Sequence, residues 1–336
     1  MDLDLNLNLS LFKYSVDIIT LSSLLNSLEI PKKILDDLVI KDFDQFANLL
    51  NLDVSNTSIR DFALGYHRID TGFANTMLGS YRSINELIRS LYQDKGNVFA
   101  VATILRINKV LTDKTFEIWE SGKFRTPEFP YQGEYDFING EDSLSYDTIS
   151  KDINMLADFY QDSRYPNILK IPIIGYNLFK LKPFSVLNDF TILFIMKSLM
   201  IEIDIFNEIS LVKIFSENLE SMQTSNQTLD MWVENFFKYM HAELSEIHDF
   251  VYKYISLEKR RLNSDKIVSI LSDRQKKAFL FFVDHRTLTR QEYARIFKIS
   301  PMTAFRDLNI MKELGILTVF GQGRGTKYTI LEKYLL

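Results

Sequence analysis

Between Thr228 and Arg260, the residues Leu229, Trp232, Val233, Phe236, Met240, Leu244, Ile247, Val251 and Ile255 fall at steps of three and four. Only a helix turning once per ~3.6 residues brings them onto one face, so the segment predicts a long amphipathic helix whose stripe is core. A stripe this wide must be covered, and the upstream sequence supplies helices to cover it. Residues 31–52 open with proline at a helix start, and helical patterns follow at 78–93, 97–119, 145–162, 168–180 and 187–205. The chain therefore predicts a mainly α fold. Two stretches break the pattern. Residues 122–138 carry Pro127, Pro130 and Gly133 among aromatic residues and predict a small β-hairpin flap. The opening MDLDLNLNLSLFKYS alternates leucine with polar residues and predicts a short strand or edge peptide.

At 336 residues and 46% apolar content the chain has material for two or three domains. The charged run Glu258–Asp265 lacks an apolar stripe and reads as a boundary, giving 1–54 as an N-terminal helical or extended segment, 55–260 as a helical domain and 266–336 as a third domain. Charge follows the same division. From Lys266 onward there are 13 Lys and Arg against 6 Asp and Glu, a balance of +7, so residues 1–265 carry −12 of the chain's net −5. A basic module on an acidic body suggests a polyanionic partner for the module. With no cysteine, disulfides and thiolate chemistry are excluded and a reducing compartment fits. The N-terminus lacks the basic and apolar regions of a signal peptide, and the apolar stretch Phe190–Met196 is too short to span a bilayer, so the expected location is cytoplasmic with no membrane contact.

Within 266–336, Ser272 and Gln275 predict a capping box for a helix to about Asp284, and Thr289–Phe297 a short helix burying Tyr293, Ala294 and Phe297. Ser300 caps a further helix with Pro301 in its first turn, and Gly315 closes it. There Ala304, Leu308, Met311 and Leu314 face inward, leaving Pro301, Met302, Thr303, Arg306 and Asn309 outside. Strands at 316–320 and 326–330 flank a glycine-rich loop holding Arg324, with Lys327 just beyond. Helix, turn, helix and hairpin is the order of a winged helix-turn-helix, whose second helix enters the major groove while wing cations reach phosphates. Pro301, Met302, Thr303, Arg306, Asn309, Arg324 and Lys327 are thus the candidate nucleic-acid contacts, with DNA the expected partner of 266–336 and a homodimer suited to paired half-sites.

The stretch Ser300–Ile316, with Thr303, Ala304, Arg306, Asp307 and Leu308, resembles the winged helices of bacterial regulators of the deoxyribose-repressor type and those at the C-terminus of many Fic proteins. The body resembles a Fic domain over about 55–260. Glu120–Arg125 (ESGKFR) looks like the entry to the family's flap, Asp147–Phe159 like the helix after it, and Asp230–Phe237 (DMWVENFF) like a helix near the domain's end. Between them, Tyr176–Leu193 stands where the family carries His-Pro-Phe-x-Asp/Glu-Gly-Asn-Gly-Arg-x-x-Arg. The resemblance implies a helical bundle, and the family typically moves AMP from ATP to a protein hydroxyl. That chemistry needs a base, a carboxylate on Mg²⁺, glycine amides and arginines on phosphate. Here the base position holds Lys182 and the metal position Val186, Leu187 and Asp189 replace the glycines, and Phe190 and Leu193 replace the arginines. Pro183, Phe184 and Asn188 survive. The family's inhibitory helix would align at Tyr66–Thr71, with Tyr66 for its serine and Asp70 for its glutamate.

These replacements predict a Fic-like scaffold without AMP transfer, cofactor or metal, acting through its C-terminal module. The alternative is a divergent nucleotidyltransferase acting on a protein. Lys182 is expected as a solvated lysine on a loop rather than a nucleophile, and Asp189 as a helix cap. The edge of the flap 122–138 is a candidate for pairing with an extended peptide. His67, His241, His248 and His285 show no metal-ligand spacing; His241 and His248 stand two turns apart.

Overall fold

The computed structural model describes residues 3, 5, 9–65, 72–93, 99–117, 120–133, 135–138, 146–321, 326–331 and 334. The chain divides into two compact units, Met1–Asp249 and Phe250–Leu336. Among the described residues no helix is long and apolar enough to cross a membrane.

The first unit is helical: α1 (Leu9–Ser27), α2 (Lys32–Leu49), α3 (Asn56–Ala63), α4 (Gly72–Gln93), α5 (Val101–Thr112), α6 (Tyr146–Gln161), α7 (Asn167–Leu181), α8 (Asn188–Glu202), α9 (Leu211–Glu217) and the first half of α10 (Leu229–Ile270). At its centre every residue of α8 from Asn188 to Ile201 is buried, as is nearly all of α7. A helix apolar all round must be enclosed, and α4, α5 and α7 enclose α8. The stripe read from 228–260 is core: Trp232, Val233, Phe237 and Leu244 are fully buried. Trp232 packs on Tyr176, Phe179, Phe215 and Phe236 and donates its indole N–H to Met222 O at 2.9 Å, so a buried donor is satisfied.

Three features differ from the expectations. From Leu9 onward the N-terminus is helix, not strand; Leu11, Ile18, Ser22 and Leu25 are buried at helical spacing, which outweighs an alternation that ends at Leu11. The short helices α3 and α9 were not foreseen, although Ser55 and Ser210 cap them by accepting from Ser58 N and Lys213 N at 3.3 and 3.1 Å. Through 258–265, read as a boundary, α10 runs on to Ile270, because Glu, Lys, Arg and Leu are good helix formers even without a stripe. The flap's hairpin is a tight turn in which Thr126 and Phe129 exchange N–H···O bonds of 3.1 and 3.0 Å. The Tyr66–Thr71 alignment lies outside the described residues.

The second unit contains α11 (Asp273–His285), β1 (Thr287–Thr289), α12 (Arg290–Ile296), α13 (Pro301–Glu313), β2 (Leu317–Phe320) and β3 (Lys327–Ile330). The antiparallel sheet runs β1-β3-β2, with Thr287 opposite Thr329 and Leu317 opposite Ile330. Ser272 with Gln275 and Thr289 with Glu292 form capping boxes, and Ser300 caps α13 with Pro301 in its first turn. Gly315, at φ 65°, ends α13 in the left-handed conformation that glycine adopts without a Cβ clash. Tyr293, Ala304, Leu308 and Met311 are fully buried among Phe282, Leu288 and Tyr328. β1 was not foreseen; three residues are too few to show a period.

Candidate functional site

The loop between α7 and α8, Lys182–Leu187, begins and ends in left-handed backbone, with φ 44° at Lys182 and 53° at Leu187. Neither residue is glycine, so surrounding contacts must hold the strain. They do. Arg125, buried, donates from Nε to Lys182 O at 2.6 Å and from Nη2 to Leu181 O at 3.3 Å, while its backbone N–H reaches Pro183 O at 2.9 Å. A guanidinium thus satisfies the carbonyl end of α7, where a cation is favoured. Gln132 N–H donates to Ser185 O at 2.8 Å, tying the flap to the loop's middle. Asn188 serves the loop itself, accepting from Phe184 N and donating to Phe184 O, each at 2.8 Å.

Lys182 is not a solvated surface lysine: its side chain is 1% exposed. The loop turns it inward, where Nζ pairs with the Asp189 carboxylate, donates to Ile138 O at 2.8 Å, lies 3.5 Å from Asp136 Oδ2 and sits over the Tyr131 ring. An ammonium in such a place needs paired charge and filled donors, and it has both. Asp189 does not cap α8 with its side chain. Its Oδ2 accepts from Phe137 N and Ile138 N at 2.7 and 2.5 Å, so it fastens the strap 135–138. Asp136 Oδ1 accepts from Asp189 N at 3.0 Å and places an internal carboxylate at the N-terminus of α8. Two carboxylates share one ammonium; burial first, then the neighbouring Asp136 charge, pushes Asp189 up to about 7, while Lys182 pulls it down.

All six positions read as motif remnants, Lys182, Pro183, Phe184, Val186, Asn188 and Asp189, lie in this region, and all six are buried. Phe190 fills the space beyond, its ring 4.9 Å from Phe46 and 5.3 Å from Phe137. Asp136 was missed in the sequence, and Arg125 was read only as a landmark of the flap. A lone acidic residue between aromatic ones gives no signal until the strap closes on α8. The flap's own amides at Arg125, Thr126, Phe129 and Gln132 bond within the chain.

In the second unit, Pro301, Met302 and Arg306 are exposed along the first turns of α13, Thr303 and Asn309 are half-buried, and Lys327 is exposed on β3. Arg324 lies outside the described residues. Thr303 is held by Ser300 Oγ at 2.9 Å. On the inner face, Asp307 is gripped by Arg274 through bonds of 2.6 and 3.0 Å and accepts from Tyr293 Oη at 3.3 Å, which fixes the rotation of α13 about its axis. Phe305, 39% exposed, shares the outer face and was not foreseen. Of the described histidines, His285 stacks on Phe281, with its Nδ1 3.1 Å from Phe281 O, and no group of residues able to hold a metal is found among the described residues.

The sequence matches no family model and no curated protein. Solved structures do resemble it. A Fic family protein from Desulfovibrio desulfuricans superposes with a TM-score of 0.56 at 11% identity over 97% of both chains. Fic-1 of C. elegans gives 0.56 at 15% identity over 73% of this chain and 71% of that one. A Fic domain-containing signalling protein from Bacteroides thetaiotaomicron gives 0.50 at 13% identity over 73% and 97%. At these identities the likeness concerns the fold, and the chain has the helical fold of Fic-family proteins.

Proposed function

We propose that this protein is a Fic-like scaffold that performs no AMP transfer and acts through nucleic-acid contact by its C-terminal unit. The observation that carries the first half is the Asp136 carboxylate at the N-terminus of α8, 3.0 Å from Asp189 N. A helix N-terminus attracts one anion, and an internal carboxylate there competes with any phosphate. The donors nearby are committed as well: Lys182 to Asp189 and Ile138 O, Arg125 to the α7 carbonyls. Magnesium does not fit this loop, because Val186 stands at the expected ligand position and Asp189 is tied to two backbone amides. Titration calorimetry with Mg-ATP on the full chain is expected to give no binding heat; tight binding would end this reading.

The second half is supported by the exposed start of α13 on a basic module. In this reading Arg306 and Thr303 face base edges and Lys327 neutralises a phosphate, with Arg324 expected from its identity to do the same. Gel-shift titration of a random-sequence duplex across salt tests it. Binding should weaken as salt rises, and Lys327→Ala should lower the slope of log affinity against log salt by about 1, as loss of one phosphate contact requires. Absence of any duplex affinity at low salt would sink the proposal.

A further inference from the structure

Away from the α7–α8 loop, a cavity of about 200 Å³ opens beside α2, α4 and α8, with Asp42, Arg82, Arg89, Lys197 and Glu208 in its lining. Its inner wall is cationic with donors to spare. The guanidinium of Arg82 stacks 4.4 Å over the Phe62 ring, which orients it, and its Nη2 is buried with no hydrogen-bond acceptor. A buried charged donor left unpaired is destabilising, so an acceptor from outside the chain is favoured there. Lys197, 8% exposed, has a single long ion pair, 3.7 Å from Nζ to Asp42 Oδ2. At that distance the pair is no hydrogen bond, and the Asp42 carboxylate instead accepts from Tyr81 Oη at 2.6 Å and from Ser210 Oγ. At the mouth, Arg89 is half exposed and paired to Glu208 at 3.3 Å.

We propose that this cavity is a binding site for a small oxyanion, a carboxylate or an inorganic phosphate, held by Lys197 Nζ and the Arg82 guanidinium and flanked by Arg89 at its mouth. Two of the lining's three cations, Arg82 and Lys197, stand on the inner wall with one of its three carboxylates, Asp42, so the excess of positive charge that favours an anion is confined to the inner end. The volume is below the ~300 Å³ at which drug-sized ligand pockets begin, and Glu86 and Glu208 at the rim repel a polyanion, so a nucleotide is excluded on both size and charge. Ligation by a planar guanidinium fork beside a point-charge ammonium suits either oxyanion.

The test is thermal unfolding and titration calorimetry of the full chain in chloride, phosphate and acetate at equal ionic strength. Phosphate, acetate or both should raise Tm by about 2 °C or more at ten times Kd, and the anion that does so identifies the ligand class. Arg82→Gln should weaken that anion at least tenfold, with its fold checked by circular dichroism in chloride. Lys197→Met and Arg89→Gln provide independent readings should Arg82→Gln not fold; Arg89→Gln, altered at an exposed position, should weaken binding several-fold. Equal Tm in all three salts overturns the proposal, as does an anion shift that persists unchanged in the folded variants.

Discussion

Lys182 places one buried ammonium against two buried carboxylates, those of Asp136 and Asp189. Removing it leaves those carboxylates buried without a cation. Lys182→Met should therefore cost about 3–5 kcal/mol, read as a lower urea midpoint at unchanged m-value. The pair also sets a pH dependence. Asp189 is pushed up to about 7 in the folded protein, whereas an unfolded aspartate titrates near ~3.9. Between these values the folded state holds a proton that the unfolded state has released. Its contribution is complete below ~3.9 and is lost as pH rises through about 7, so stability should decline over that window. Urea midpoints at intervals from pH 5 to 8 should show the decline in the wild type and a flatter profile in Asp189→Asn; parallel profiles would contradict the assignment.

At the scale of elements, the contact of α7 with α8 depends on Gly175. A Cβ built there would lie 2.5 Å from Met196 Sδ and 2.8 Å from its terminal methyl, in a core with no exposed surface to yield into. Alanine gains about 1 kcal/mol in helix propensity over glycine, against roughly 1–3 kcal/mol for overpacking a close-packed core. Gly175→Ala is expected to destabilise by about 1 kcal/mol net, and to stabilise instead when introduced into Met196→Ala. Chemical denaturation of the four proteins of that cycle decides between the two effects. In α13 the cap carries comparable weight: Ser300→Ala removes the acceptor for Thr303 N at 3.2 Å and should cost about 1 kcal/mol, while Ser300→Asp should retain most of it.

For the whole molecule, charge is the property that composition alone makes readable: −12 on residues 1–265 against +7 from Lys266 onward. If Arg324 and Lys327 each neutralise one phosphate, raising salt from 50 to 200 mM should weaken duplex binding by about 12-fold, measurable by filter binding. Several features were legible beforehand because they are local or periodic. The core stripe of α10 from Leu229 to Val251, the capping box at Ser272 and Gln275, the cap at Ser300 and the glycine stop at Gly315 each depend on residues within a few turns of one another. The residue types at 182–193 were legible too, since identities alone exclude a carboxylate at Val186 or a guanidinium at Phe190. What those positions do instead was not legible. Lys182 meets Ile138 across 44 residues, Asp189 meets the strap across 51 and 52, and Arg125 meets Lys182 across 57. A lysine on a loop and a lysine in a core look alike in a one-dimensional string. The sequence by itself therefore determined the periodic helices and the caps and stops that lie within a turn or two of them, but not α1, α3 or α9. Only the tertiary structure decided where the buried charges find partners, because Coulomb and hydrogen-bond energies depend on distances that chain closure alone creates.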